Sequence, residues 1–340
     1  MIGPELGLAL IGLALVLYAL TGGADYGAGL WDLCARGPRA EERRNALHEA
    51  IAPVWEANHV WVLYALVILL TAYPQGYALV LDALHIPLSL ALLGMVLRGS
   101  AYTFRAYGIG ENRAKRKWGL AYALSSVFVP FWLGAMAGGL ASGEIEVDEL
   151  ALTSGPLAGW SHPFALSCGL LALALFAYLA AVYMTCETEG ELREDFRRSA
   201  LRSGALALLL AGAVWVLGEL FAAGMHAELA ASRWSLGLHS ATGACALLAG
   251  WSLWVRRYAL ARAAAAAQVT GIVGGWGLAM DGHLLQGQVR MEDVAAPPAV
   301  LSAMLLISAA GAVLLIPSLW WLMRVFKGRR SERPAPASRR

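Results

Sequence analysis

Long apolar stretches recur along the whole sequence, and they constrain the fold more than any other feature. A helical segment needs about 20 consecutive, mostly apolar residues to cross a bilayer. Of the 340 residues, 59% are hydrophobic and 15% are charged, whereas soluble domains carry about 25% charged residues. The chain therefore has too few polar groups to cover a water-facing surface. The predicted fold class is all-α, a polytopic integral membrane protein.

The apolar runs predict nine membrane spans and their orientation. The spans lie near residues 5–30, 50–72, 77–104, 117–141, 160–186, 200–223, 237–255, 259–282 and 298–326. All but three of the 26 Lys and Arg residues lie after odd-numbered spans, the exceptions being Arg98, Arg233 and Arg290. Basic residues mark the cytoplasmic side. We therefore expect the N-terminus outside and the C-terminus in the cytoplasm.

One membrane domain over residues 1–327 is expected, with two four-helix bundles and one peripheral helix. The basic, proline-containing segment 328–340 is expected to be a disordered cytoplasmic tail. The first span follows an acidic residue rather than a basic n-region, so it is expected to stay attached instead of being cleaved as a signal. The four cysteines are far apart in sequence and are expected to be reduced thiols.

Five carboxylates fall within the predicted spans, where ionisable groups are costly and usually functional. They are Asp25, Glu56, Asp82, Glu219 and Asp281. Asp25, Glu56 and Arg98 are predicted to lie at similar depth near the cytoplasmic face, whereas the other three lie toward the outside. Two interpretations stay open: a proton-conducting cluster, or an Asp25–Arg98 ion pair that fixes helix packing. His59 lies one helical turn from Glu56, on the same face.

The segment GGADYGAG around Asp25 lacks the G-x-G-x-x-G spacing and follows an apolar helix, which argues against dinucleotide binding. Small residues instead allow membrane helices to approach closely, so Gly22, Gly23, Gly27 and Gly29 predict that Asp25 is packed against a neighbouring helix. The E-x-x-H spacing of di-iron bundles occurs once, as Glu56 to His59, so no metal site is predicted. The other histidines lie mostly near the external interface, where an imidazole can reach water or a headgroup.

Several segments together resemble subunit II of the cytochrome bd quinol oxidases. They are TGGADYGAGLWDL, RRNALHEAIAPVWEANHVWVL, VLRGSAY, AVYMTCETEGEL, MEDVAAPPAVL and VLLIPSLWWLMRVFKG. They occur in the family's order, cover nearly the whole chain, and include IAPVWEANHVW as the most specific match.

The resemblance implies a bacterial inner-membrane complex that oxidises ubiquinol or menaquinol and reduces oxygen to water with protons from the cytoplasm. It also implies that two haems b and one haem d are held by a partner, subunit I, and that subunit II carries no haem. In some members of the family subunit II binds a structural quinone. A small accessory subunit and membrane lipid are further expected partners, and no nucleic acid is expected.

Within the resemblance, Glu56 and Asn58 occupy the acidic and amide positions of the family's W-[DE]-x-N motif, and the acidic position is its proton-channel candidate. Asp25 matches the second acidic position of the pattern T-D-G-x-D-x-G, and Arg98 matches the basic residue that closes span three. The proton-path candidates are therefore Glu56, Asp25, His59 and Asn58, with Arg98 and Asp25 as an ion pair. The first acidic position of the pattern is Gly22 here, and WGLAMDGHLLQGQ departs from the family's aromatic-proline pattern.

Two functions of other classes remain open on the residues alone. A secondary transporter could couple ions through the same buried carboxylates, although matching Gly/Pro interruptions in two halves are absent from the sequence. A membrane cytochrome that binds its own haem would show a haem spectrum in the isolated chain.

Overall fold

The computed structural model describes residues 5–51, 55–107 and 112–328, with the side chains of 5–50, 57–105 and 115–321. This part contains helices α1 (Glu5–Cys34), α2 (Ala40–Ile51), α3 (Trp55–Ala72), α4 (Pro74–Ala83), α5 (His85–Tyr107), α6 (Asn112–Ala141), α7 (Pro163–Glu187), α8 (Gly190–Phe221), α9 (Ala223–Ala231), α10 (Ser235–Trp254), α11 (Tyr258–Ala279) and α12 (Pro298–Gly328). Two small antiparallel hairpins complete it: β1 (Val147–Asp148) with β2 (Ala151–Leu152), and β3 (His283–Leu285) with β4 (Val289–Arg290). The fold is therefore essentially all-α, as predicted.

Each of the nine predicted spans contains a helix, but the boundaries differ in two instructive places. The predicted span 77–104 is divided, since α4 ends at Ala83 and α5 begins at His85. Pro87 explains the break, because its ring nitrogen has no hydrogen to donate to the carbonyl four residues earlier. The predicted span 259–282 is too long, because Asp281 (φ 44°) and Gly282 (φ 73°) leave the helical region and lead into the β3–β4 hairpin.

Among the described residues, six helices are long and apolar enough to cross a membrane: α1, α5, α6, α7, α8 and α12. A shorter apolar segment covers Ala57–Ala72 in α3. The chain is thus a multi-pass membrane protein, while the count of nine spans and their division into two bundles stay predictions. Of the predicted tail 328–340, Gly328 is the last residue of α12 and residues 329–340 lie outside the described residues.

Large apolar side chains are exposed along α8 and α12, which supports placement in a bilayer. Only 11% of the most apolar stretch of each of these helices is buried. The exposed residues include Leu208, Leu209 and Leu220 in α8 and Leu306, Ile307, Val313 and Leu314 in α12. Soluble proteins rarely expose such continuous apolar surface, whereas lipid tails are a suitable environment for it.

Helix α1 lies in the middle of the helix assembly, where it contacts α3, α6, α7 and α11. Its contact with α7 is close, because a Cβ atom at Gly27 would lie 1.9 Å from the carbonyl oxygen of Phe176. The Trp31 indole Nε1 donates a hydrogen bond of 2.8 Å to the carbonyl of Ala177 at the same contact. The glycines of α1 therefore do what small residues do between membrane helices: they let two backbones approach.

The α1–α7 contact predicts opposite effects for two glycine substitutions within one helix. Gly27→Ala should destabilise the protein by about 1–3 kcal/mol, since the added methyl group overpacks a backbone contact. Gly12→Ala should stabilise it by about 0.5–1 kcal/mol, because nothing lies within 4 Å of that position and alanine has the better helix propensity. Unfolding temperatures of the two variants in detergent test this, and equal shifts would contradict the close approach of α1 and α7.

Candidate functional site

The most deeply buried charge in the described structure is Arg98 on α5, which is 1% exposed. Its Nη1 and Nη2 donate to the two carboxylate oxygens of Asp25 on α1, at 3.1 and 2.7 Å. Its Nε donates to Ser126 Oγ on α6 at 2.9 Å. The guanidinium thus joins three helices through a bidentate ion pair and a hydroxyl, a geometry that suits the rigid fork of arginine.

Two tyrosines complete the surroundings of Arg98. Nη2 also donates to the Tyr122 hydroxyl at 3.0 Å and to the Asp25 carbonyl at 3.3 Å. The guanidinium carbon lies 4.5 Å from the ring centroid of Tyr26 and 4.8 Å from that of Tyr122, within cation–π range. A buried charge is tolerated only when it is paired and hydrogen-bonded, and both conditions are met.

The α1–α6 contact is arranged so that Ser126 can accept from Arg98. The Ser126 hydroxyl donates to the carbonyl of Tyr122 at 2.7 Å, so its lone pairs are free for the Arg98 Nε–H group. Gly29 leaves space for it, because a Cβ atom there would lie 2.1 Å from Ser126 Oγ. The glycine-rich stretch therefore positions the polar centre as well as the helices.

A second ion pair repeats the first one seven residues further along both helices. Asp32 on α1 pairs with Arg105 on α5, and Arg44 of α2 adds a contact of 3.4 Å to Asp32. Seven residues are nearly two helical turns, so both pairs lie on the same faces about 10 Å apart. Sequence reasoning missed this pair, although the matching seven-residue spacings from Asp25 to Asp32 and from Arg98 to Arg105 could have indicated it.

The two ion pairs differ in their access to solvent. The Asp25–Arg98 side chains are almost completely buried, whereas Arg105 and Arg44 are partly exposed around a buried Asp32. The Asp32 pair therefore lies at the α2 end of the bundle and the Asp25 pair lies deeper. Together they form a charged axis that begins near the surface and ends among apolar helices.

On the other side of Arg98 lies an aromatic group from α1 and α3. The Tyr18 hydroxyl donates to the Tyr26 hydroxyl at 3.3 Å, and the His59 ring centroid lies 6.2 Å from Tyr18 and 6.0 Å from Tyr26. His59 Nδ1 is buried and has no hydrogen-bond partner among the described residues, and Asn58 is also buried. Hydroxyl and imidazole groups in such a row can both donate and accept protons.

The other predicted site residues are distributed differently. The backbone of Glu56 lies in the first turn of α3, but its side chain lies outside the described residues. Asp82 in α4, Glu219 in α8 and Asp281 beside the β3–β4 hairpin are all exposed and are not brought to the Arg98 centre. No group of three or more His, Cys, Asp or Glu side chains in the described part could hold a metal ion.

His48 on α2 lies beside the Asp32 pair, at the surface end of the charged axis. Its ring centroid is 5.0 Å from that of Tyr102, which in turn is 5.9 Å from that of Tyr122. Burial lowers the pKa of His48, and the nearby Arg105 guanidinium lowers it further, against the opposing charges of Asp32 and Glu49. A neutral imidazole is thus favoured beside the Asp32 pair.

Comparison with known proteins identifies relatives of this chain. Residues 4–326 match the model of a family described as cytochrome bd terminal oxidase subunit II. A protein of Escherichia coli K12 named cytochrome bd-I ubiquinol oxidase subunit 2 is 29% identical over 214 residues, which are 61% of this chain and 55% of that protein. A protein of Bacillus subtilis 168 named cytochrome bd ubiquinol oxidase subunit 2 is 26% identical over 196 residues, 58% of this chain and 57% of that protein.

The matched region thus spans little more than half the length of these curated relatives. A solved structure of bd oxidase from Geobacillus thermodenitrificans has a chain with a TM-score of 0.79 and 24% identity to this one. The superposition covers 95% of this chain and 98% of that chain. At this identity the likeness supports the fold.

The two ion pairs predict unequal effects of the same substitution. Asp25→Asn leaves a buried guanidinium without its counter-charge and should cost about 3–5 kcal/mol. Asp32→Asn should cost less, about 1 kcal/mol, because Arg105 and Arg44 can turn toward water. Denaturation of the two variants in detergent measures the difference, and the double variant Asp25→Asn/Arg98→Gln should lose less than the sum of its single variants. Equal costs for Asp25→Asn and Asp32→Asn would contradict the assigned difference in burial.

The lowered pKa of His48 predicts that the stability of the protein depends on pH. Because its folded-state pKa is lowered from the ordinary value of about 6.5, the unfolded chain binds more protons at mildly acidic pH. Its contribution is therefore present above about pH 6.5 and is lost as the pH falls toward the folded pKa. The unfolding temperature of His48→Gln should fall less between pH 7.5 and 5.5 than that of the unsubstituted protein or of the exposed-site control His85→Gln. If the unfolding temperature falls equally in all three proteins between pH 7.5 and 5.5, His48 does not contribute to the pH dependence of stability.

Proposed function

Since this chain belongs to the cytochrome bd terminal oxidase subunit II family, we propose that it is the haem-free subunit of a cytochrome bd quinol oxidase. The complex oxidises quinol, reduces oxygen to water and thereby generates a proton motive force. This chain stabilises the haem-bearing subunit I and contributes a proton path. The observation that carries the proposal is that the family match runs through α1, α5 and α6, the helices that hold the buried polar centre, and through α3 beside them.

The proposed path starts on the cytoplasmic side, passes beside the α1–α5 axis and reaches residues of α3. The orientation follows from the basic residues, which cluster at the ends of α1, α5, α7 and α10 and at the C-terminus. The partly exposed Asp32 pair then lies on the cytoplasmic side, and the buried Asp25 pair lies within the membrane. Protons for oxygen reduction are drawn from that side.

Within this path the described residues have different roles. Both carboxylate oxygens of Asp25 are held by Arg98, so moving a proton through Asp25 requires breaking a charged hydrogen bond. Asp25 and Arg98 therefore position the helices and set the local field. Glu56 and His59 on α3 are the proposed proton carriers, with Asn58 as a hydrogen-bonding group of the same path. The His59 Nδ1 atom, without a partner among the described residues, supports this assignment.

The catalytic chemistry belongs to the partner in this proposal. Two haems b and one haem d are held by subunit I, where quinol is oxidised and oxygen is reduced. A small accessory subunit, membrane lipid and a structural quinone are further proposed partners of the complex. The location is the bacterial inner membrane, with the N-terminus outside and the C-terminus in the cytoplasm.

A conservative substitution at Glu56 tests the proposal. Glu56→Gln should lower quinol-dependent oxygen consumption roughly tenfold or more, because positioned proton-transfer groups contribute about 10²–10⁴ to rate. Haem content of the purified complex should stay unchanged, because the glutamine keeps the size of the side chain. Glu219→Gln is the matched control, since Glu219 is exposed on α8. Full activity of Glu56→Gln would exclude Glu56 from the path.

A further inference from the structure

A cavity lies where the tight turn between α10 and α11 meets the first turns of α8. It has a volume of about 310 Å³ and is lined by Arg197, Trp254, Val255 and Arg256. Two guanidinium-bearing residues and an indole thus face one cavity at an end of the helices. This cavity is separate from the Asp25–Arg98 centre and is not used by the proposed proton path.

In the turn between α10 and α11, Arg256 occupies a position where glycine is the usual residue. Arg257 N–H donates to the carbonyl of Ser252 at 2.8 Å, and Arg256 N–H donates to that of Leu253 at 3.4 Å. This pair of bonds is the Schellman arrangement, in which the residue at the Arg256 position adopts left-handed backbone angles and is most often glycine. Arg256 has φ 61°. Non-glycine residues with such angles cluster at ligand and active sites, and Glu149, Leu150 and Asp281 are the other examples among the described residues.

The charges around the cavity do not balance. The single carboxylate of Glu194 contacts three guanidinium groups: those of Arg197 at 2.6 Å, Arg198 at 3.7 Å and Arg256 at 3.8 Å. Two further arginines of the same helix ends lie over aromatic rings, Arg257 over Trp251 and Arg193 over Tyr258. The cavity therefore has an excess of positive charge, which favours an oxyanion such as a phosphate.

An apolar stripe on α10 leads away from the cavity. Leu247, Trp251 and Trp254 follow each other at spacings of four and three residues, so they share one helix face. Leu247 is 77% exposed and Trp254 is 75% exposed. Tryptophan is enriched where a membrane helix passes the headgroup layer. The exposed apolar stripe that runs from Trp254 toward the membrane interior suits a hydrocarbon chain.

We propose that this cavity binds the phosphate of an anionic phospholipid, with an acyl chain along the Leu247–Trp251–Trp254 stripe. Arg256 contacts the phosphate, and Trp254 lies at the level of the glycerol backbone. Arg197, whose Nε and Nη2 donate to Glu194, lines the cavity beside it. A free phosphate ion shares the headgroup chemistry but leaves the stripe uncovered, so the lipid is the occupant that uses both features. Basic pockets between membrane helices bind anionic headgroups in this way.

The test is a lipid titration of the delipidated complex in detergent, with the unfolding temperature as the readout. The probes are phosphatidylglycerol, phosphatidylcholine and inorganic phosphate. Arg256→Gly fits the left-handed turn without strain and removes the charge, so its lipid-free unfolding temperature should not fall. Its midpoint concentration for phosphatidylglycerol should rise about fivefold, the factor expected for one basic residue at a lipid surface. Arg256→Lys should stay within about twofold of the unsubstituted protein.

Arg290→Gln is the matched control, because Arg290 is an arginine of strand β4 with its own partner, Glu292. It should leave the phosphatidylglycerol midpoint unchanged. The proposal is overturned if Arg256→Gly and Arg290→Gln behave alike, or if phosphatidylcholine stabilises as well as phosphatidylglycerol. It is also overturned if inorganic phosphate alone gives the full stabilisation, which would identify a phosphate ion as the occupant.

Discussion

The interaction on which the rest of this structure depends is the buried ion pair of Asp25 and Arg98. Burying two charges is favourable only when their geometry and remaining hydrogen bonds are nearly complete. That requirement explains the space left at Gly29, the hydroxyl of Ser126 and the rings of Tyr26 and Tyr122. The ion pair therefore fixes the relative positions of α1, α5 and α6. This matters in a membrane bundle, where lipid gives no hydrophobic driving force for helix association.

The repeated spacing of the two ion pairs links this packing to the proposed role. A single buried pair could serve packing alone, whereas the second pair at Asp32 extends the charged axis toward the α2 end of the bundle. A polar axis that connects surface to interior, and continues to Tyr26 and His59, is what proton delivery requires. Each carboxylate of this axis is held by at least one arginine, which offsets part of the desolvation cost of burying it.

Sequence alone predicted the membrane class, a helix in each of the nine spans and the close approach at the α1 glycines. These three predictions follow from the composition, from the length of the apolar runs and from the small size of the glycine residues. The break before Pro87 was detectable in principle, because proline ends helices, but the apolar run concealed it. The Asp32–Arg105 pair and the Arg256 turn were missed, since both depend on which helices become neighbours. The environment of His59 likewise required the α1–α3 contact in three dimensions.

The central claim is the proposal that this chain is the haem-free partner of a haem-bearing membrane subunit. The most direct measurement is a reduced-minus-oxidised visible spectrum of the gently solubilised, tagged protein, with its co-purifying chains identified. The account predicts a haem d band that travels with a second large membrane subunit and is lost when that subunit is removed. A colourless protein without such a partner, or a haem spectrum retained by this chain alone, would contradict it.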